Sequence, residues 1–133
     1  LHHVLPLLNE TILEIHRILK PGGLFYFMEP NKDTWINKLR EFWYKRDSKF
    51  ADDEEAISYQ YTLKPFLSKG FEEKSINFGG NIAYIIIGQS LALRIPQRYK
   101  KYLAPISFYL ERVFSKLPFI PKLFFSAVWK KNI

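Results

Sequence analysis

Ile18-Leu19-Lys20-Pro21-Gly22-Gly23 separates two apolar patterns of different period, and it constrains the chain more than any other stretch. Before it, Leu8, Ile12, Ile15 and Leu19 recur at steps of four, three and four, the spacing that lines one face of a helix. The pattern predicts a helix over residues 5–19, opened either by Asn9 as its N-cap or by Pro6 in an earlier first turn. Pro21 cannot continue that helix, and the two glycines supply the backbone freedom of a sharp reversal. Leu24-Phe25-Tyr26-Phe27-Met28 follows, a continuous apolar run closed by Glu29-Pro30-Asn31. Such a run between turn residues predicts a strand buried on both faces, hence a parallel sheet with helices above and below. Helix, glycine turn and buried strand make the repeating step of a doubly wound α/β fold.

The rest of the chain extends this reading. Residues 32–46 predict a helix with Trp35, Leu39, Phe42, Trp43 and Arg46 along one side, and the polar, acidic 47–55 a loop. Residues 57–69 read as a further helix with Pro65 near its start or at a kink, stopped by Gly70 ahead of a strand over 71–78. Residues 82–95 are the most apolar stretch. As a helix they would reach about 21 Å, short of the roughly 30 Å of bilayer hydrocarbon. A second helix is expected over 104–117, with Ile106, Tyr109, Leu110, Val113, Phe114 and Leu117 on one face. Pro118 and Pro121 break the chain before a final strand over 123–129.

Charge is uneven. Of a net +7, the excess gathers from Arg94 onward, where nine basic residues face the single acid Glu111. A basic, aromatic-rich half suggests an anionic partner surface, such as membrane headgroups. Nucleic acid ranks last as a partner, because the basic residues alternate with long apolar runs and form no recognisable motif. The chain has no cysteine, which excludes disulfides and thiolate metal sites and agrees with a cytoplasmic location, peripheral at a membrane surface. Leu1 opens directly in apolar sequence with no signal-like region; the start reads as a processed or trimmed terminus or as the tail of a longer chain, and the motifs below favour the tail.

Leu1-His2-His3, then Leu19-Lys20-Pro21-Gly22-Gly23, then Glu29-Pro30-Asn31 at the end of a buried strand, together resemble one family. In order and spacing the set is similar to class I S-adenosyl-L-methionine-dependent methyltransferases, where these motifs follow the fourth strand, the next helix and the fifth strand. Asp53-Glu54 ahead of Ile57, and Leu63 through Gly70-Phe71, resemble the passage into that family's sixth strand. Residues 123–131 resemble its seventh, which runs antiparallel to the others. The resemblance covers residues 1–78 and 123–131. It implies the C-terminal part of a doubly wound, Rossmann-like methyltransferase sheet, strands five to seven, with residues 79–122 as an α-helical insertion between the last two. The family's glycine-rich cofactor loop and its ribose-holding acid do not occur in this sequence and would lie upstream of Leu1.

The resemblance also implies a site. Ligands of doubly wound sheets lie beyond the carboxyl ends of the strands, which places Leu1 and His2 at the S-adenosyl-L-methionine cofactor and His2, His3 and Glu29 at the chemistry. A histidine can take the proton of a methyl acceptor, and Glu29 can do the same or orient a polar group. The plainer alternatives are that the histidines pack or cap, and that Glu29 is structural. Asn31, Trp35, Trp43 and Tyr44 would line the acceptor, with simple packing onto the sheet as the alternative. His2, His3 and His16 do not make a metal site, since His16 belongs to the helix and the ligand set is incomplete. The insertion suits a membrane interface, a lid over a lipid-like acceptor, a dimer surface or plain core packing. The expected activity is methyl transfer to a small-molecule or lipid-like acceptor. The competing reading is a membrane-surface or lipid-binding module with no chemistry of its own.

Overall fold

A computed structural model describes residues 1–44, 46, 55–89 and 93–133, apart from the side chains of Trp43 and Tyr44. The chain divides into two compact units, Leu1–Phe78 with Phe124–Ile133, and Gly79–Leu123.

The first unit is mixed α/β. Helix α1 spans Leu8–Ile18, strand β1 Leu24–Pro30, helix α2 Asn37–Tyr44, strand β2 Phe71–Gly79 and strand β3 Phe124–Lys131. The strands form one sheet in the order β1-β3-β2, so the last strand inserts between two earlier ones. β3 runs antiparallel to β1, from Leu24 opposite Lys130 to Pro30 opposite Phe124. It also opposes β2, since the N–H of Asn132, past the end of β3, donates to the carbonyl of Gly70, just before β2.

Along the central strand β3, Phe125, Ala127 and Trp129 point into the core. The fully buried Trp129 stands edge-on to Phe27 at 5.0 Å, tilts against Phe71 at 5.4 Å and donates from Nε1 to the Tyr59 hydroxyl at 3.1 Å. A buried indole removes about 150–250 Å² from water, roughly 4–6 kcal/mol before the entropic cost. Leu8 and Ile12 of α1 belong to the same core, with Ile57, Tyr59 and Leu63.

The glycine turn is required atom by atom. Gly22 has φ +74°, a conformation L side chains resist, and a Cβ on Gly23 would lie 2.8 Å from the Lys20 carbonyl oxygen. The Lys131 ammonium, just below, donates to the carbonyls of His16 and Leu19 at 2.8 and 2.9 Å and closes the C-terminus of α1.

Several expectations need correction. β1 is not buried on both faces: Phe25 and Phe27 turn toward the core, whereas Leu24, Tyr26 and Met28 are exposed. Both sides of the run are apolar, but β1 is an edge strand here and the core lies on one side of it. The first helix begins as a 3-10 segment, His2–Leu7, with Pro6 inside it, and Asn9 lies within α1 rather than capping it. Residues 32–36 are turns, so α2 is shorter than the predicted helix. Residues 57–69 are not one helix but a π-helical turn, Tyr59–Leu63, followed by a 3-10 turn, Lys64–Lys69, where Pro65 is accommodated near the start. The expected loop at 47–55 and the Asp53-Glu54 pair lie, except for Glu55, outside the described residues.

The second unit holds a π-helical turn, Tyr84–Gly88, and helix α3, Gln97–Phe114, which starts earlier than the sequence pattern predicts and runs through Pro105. Glu111 on α3 accepts the N–H groups of Ala83 and Tyr84 at 2.7 and 3.1 Å, capping the N-terminal end of the Tyr84–Gly88 turn. Asn81 donates to the Ser115 hydroxyl at 3.0 Å. The predicted apolar face is split: Leu110, Phe114 and Leu117 are half-buried, while Ile106, Tyr109 and Val113 are exposed. Among the described residues, no helix is long and apolar enough to cross a membrane.

Candidate functional site

Alternation along β1 turns Glu29 to the same side as Phe25 and Phe27, at the strand's carboxyl end, and only 4% of it is exposed. A buried carboxylate must be compensated. The partners come from the 3-10 segment that opens the chain. The backbone nitrogen of Leu1 lies 2.5 Å from Oε1, and the backbone N–H of His2 donates to Oε2 at 3.2 Å. The ring of His2 adds Nδ1 at 2.6 Å from Oε2. Burial pushes the Glu29 carboxyl up, but the His2 ring, the Leu1 nitrogen and the His2 amide outweigh it and hold the group below the ordinary glutamate value.

With Nδ1 bound to a carboxylate, the proton on a neutral His2 ring sits there and Nε2 becomes the basic nitrogen. The exposed His3 ring tilts against that of His2, centroids 3.9 Å apart. Leu1, His2, His3 and Glu29 are therefore one cluster.

Asn31 is buried two residues further on, but its side chain faces the protein: Oδ1 accepts the Asp33 N–H at 3.0 Å. Its carbonyl accepts from Arg40 at 2.8 Å, and the Asp33 carboxylate accepts the Ser58 hydroxyl at 2.8 Å. This turn carries the chain away from β1, and Asn31-x-Asp33 was its one sequence signal. Trp35 follows, 73% exposed. Trp43 and Tyr44 close α2, and their side chains lie outside the described residues. In the same turn the Thr34 hydroxyl is buried with no hydrogen-bond partner among the described residues.

Two arrangements had no sequence signal. The Tyr59 hydroxyl donates to the Glu73 carboxylate while accepting from Trp129; burial and the Glu73 carboxylate both push the phenol well above its ordinary pKa, against the opposing Trp129 bond. His16 packs edge-on to Phe71 at 5.1 Å. Among the described residues, no group of three or more His, Cys, Asp or Glu side chains is placed to hold a metal ion.

Comparison with protein-family models and with curated proteins finds no match to this chain.

Proposed function

We propose that this chain forms part of an S-adenosyl-L-methionine-dependent methyltransferase acting on a lipophilic acceptor. The observation that carries the reading is the pair formed by Glu29 and His2, a buried carboxylate at the end of β1 orienting an imidazole through Nδ1. Its place beyond a strand's carboxyl end is where doubly wound sheets take their ligands. In support, the last strand runs antiparallel to β1, as the resemblance implies for the family's seventh strand.

The donor set suits a cationic ligand in part. Leu1 and His2 would hold that side of the cofactor. The glycine-rich loop that cradles the remainder is not among these 133 residues. When bound, the cofactor supplies an electrophilic methyl group on a positively charged sulfur. The chain's own part is proton management. Nε2 of His2 takes the acceptor's proton as the nucleophile is methylated, and Glu29 stabilises the imidazolium so formed. Glu29 is then a positioning residue, since its oxygens are occupied by Leu1 and His2. Exposed Trp35 and Phe42, which follow β1, give the acceptor side its apolar character.

The test uses tritiated S-adenosyl-L-methionine, a cellular lipid extract and protein made from the full reading frame. Label should pass into the organic phase, and His2→Ala should slow transfer by about 10²-fold or more. Unlabelled lipid, or transfer indifferent to His2→Ala, would contradict the proposal.

A further inference from the structure

The second unit carries almost all of the molecule's charge. Residues 79–123 contain seven basic residues and one acid, so six of the seven net positive charges reside there. The acid, Glu111, is spent inside the unit on the N–H groups of Ala83 and Tyr84. The outer surface of this unit therefore has cations with no carboxylate to balance them.

Those cations border a greasy face. Tyr99, Tyr102, Ile106, Tyr109 and Val113 recur along α3 at steps of three and four, and at 100° per residue they fall within about 80° of one another. All five are exposed, Tyr102 by 69%, Tyr109 by 66% and Ile106 by 58%. The helix buries the face around Ser107, about 120° from the centre of this stripe, so the stripe is not the unit's core. Arg98, Lys101 and Arg112 occupy the adjoining strip, Lys116 follows just past the helix end, and all four are exposed. Arg98 and Lys101 lie over the rings of Tyr99 and Tyr102, each 4.9 Å from the centroid.

We infer that α3 is a membrane-docking helix, lying in the interface of an anionic bilayer with its tyrosine and aliphatic stripe toward the acyl chains. Tyrosines suit the boundary between headgroup and hydrocarbon, and lysine and arginine stems bury while their heads reach phosphate. The helix lies on the bilayer and does not cross it, because its charged strip excludes a span. Nucleic acid would satisfy the cations but leave Ile106 and Val113 uncovered. The inference rests on the second unit alone and stands or falls independently of methyl transfer.

The experiment is sedimentation of the full chain with phosphatidylcholine vesicles, with and without 30% phosphatidylserine. The partition coefficient should rise at least tenfold with phosphatidylserine and fall as salt is raised. Each basic residue at such a surface is worth about fivefold, so the double variant Lys101→Gln, Lys116→Gln should lose about twenty-five-fold. Ile106→Asp, an exposed change that leaves the core intact, should lose about tenfold, with far-UV circular dichroism confirming the fold. Equal binding to both vesicle types would overturn the inference, as would variants that fold and bind like the parent. So would self-association or binding to a duplex DNA probe with no affinity for vesicles.

Discussion

Glu29→Gln tests the site where structure and chemistry meet. The carboxylate accepts from three nitrogens, the Leu1 and His2 backbone nitrogens and His2 Nδ1. Glutamine keeps the shape but turns an NH2 group toward donors, leaving at least one of them buried and unpaired. Hydrogen bonds to a charged group contribute about 1.5–3 kcal/mol each, and breaking a buried pair costs about 3–5 kcal/mol. We expect a loss of about 3 kcal/mol at pH 7, measured by urea unfolding at low micromolar protein with far-UV circular dichroism. The loss must depend on pH. The folded carboxyl titrates below the unfolded glutamate value of about 4.3. Its contribution is therefore complete above roughly pH 5 and disappears as pH falls through the lower, folded value. The variant lacks that titration, so the two stability curves should converge in acid. A loss under about 0.5 kcal/mol, or curves that stay parallel from pH 7 to pH 3, would refute the clamp.

Three further outcomes follow from the same packing. Gly70 has φ +102°, and a Cβ there would lie 2.6 Å from His16 Nε2, so Gly70→Ala should cost about 2–4 kcal/mol. In a His16→Ala background only the backbone part should remain, about 1–2 kcal/mol, read from urea midpoints as a double-mutant cycle. Thr34→Val removes the unpartnered buried hydroxyl without changing shape and should raise stability by about 1 kcal/mol in thermal melts. Trp129→Phe deletes the donor to Tyr59 and leaves a void beside Phe27, and should cost about 2–4 kcal/mol by urea titration.

What the sequence discloses depends on whether the signal is local. The Lys20-Pro21-Gly22-Gly23 turn was readable because both glycine requirements arise within four residues. β3 was readable because Pro118 and Pro121 break the chain ahead of a short, mostly apolar run from Leu123 to Trp129. A run with two apolar sides does not say how many of them will be covered, and Leu24, Tyr26 and Met28 show the difference. On α3, tyrosine, isoleucine and valine at helical spacing match a core face as well as a surface stripe, and only the burial of Ser107 separates the two. At the site, His2, His3 and Glu29 were implied by the family resemblance, but that Glu29 clamps the opening segment is a long-range fact. The contact of His16 with Gly70 is equally distant, and no periodicity encodes it.

The methyltransferase reading meets its most direct test in calorimetric titration of S-adenosylhomocysteine into the product of the full reading frame, beside His2→Ala. The account predicts saturable binding by the parent, weakened at least tenfold in a variant that keeps its fold. Absence of heat from a folded parent would contradict it, and the cluster of Leu1, His2 and Glu29 would then stand as a structural clamp alone.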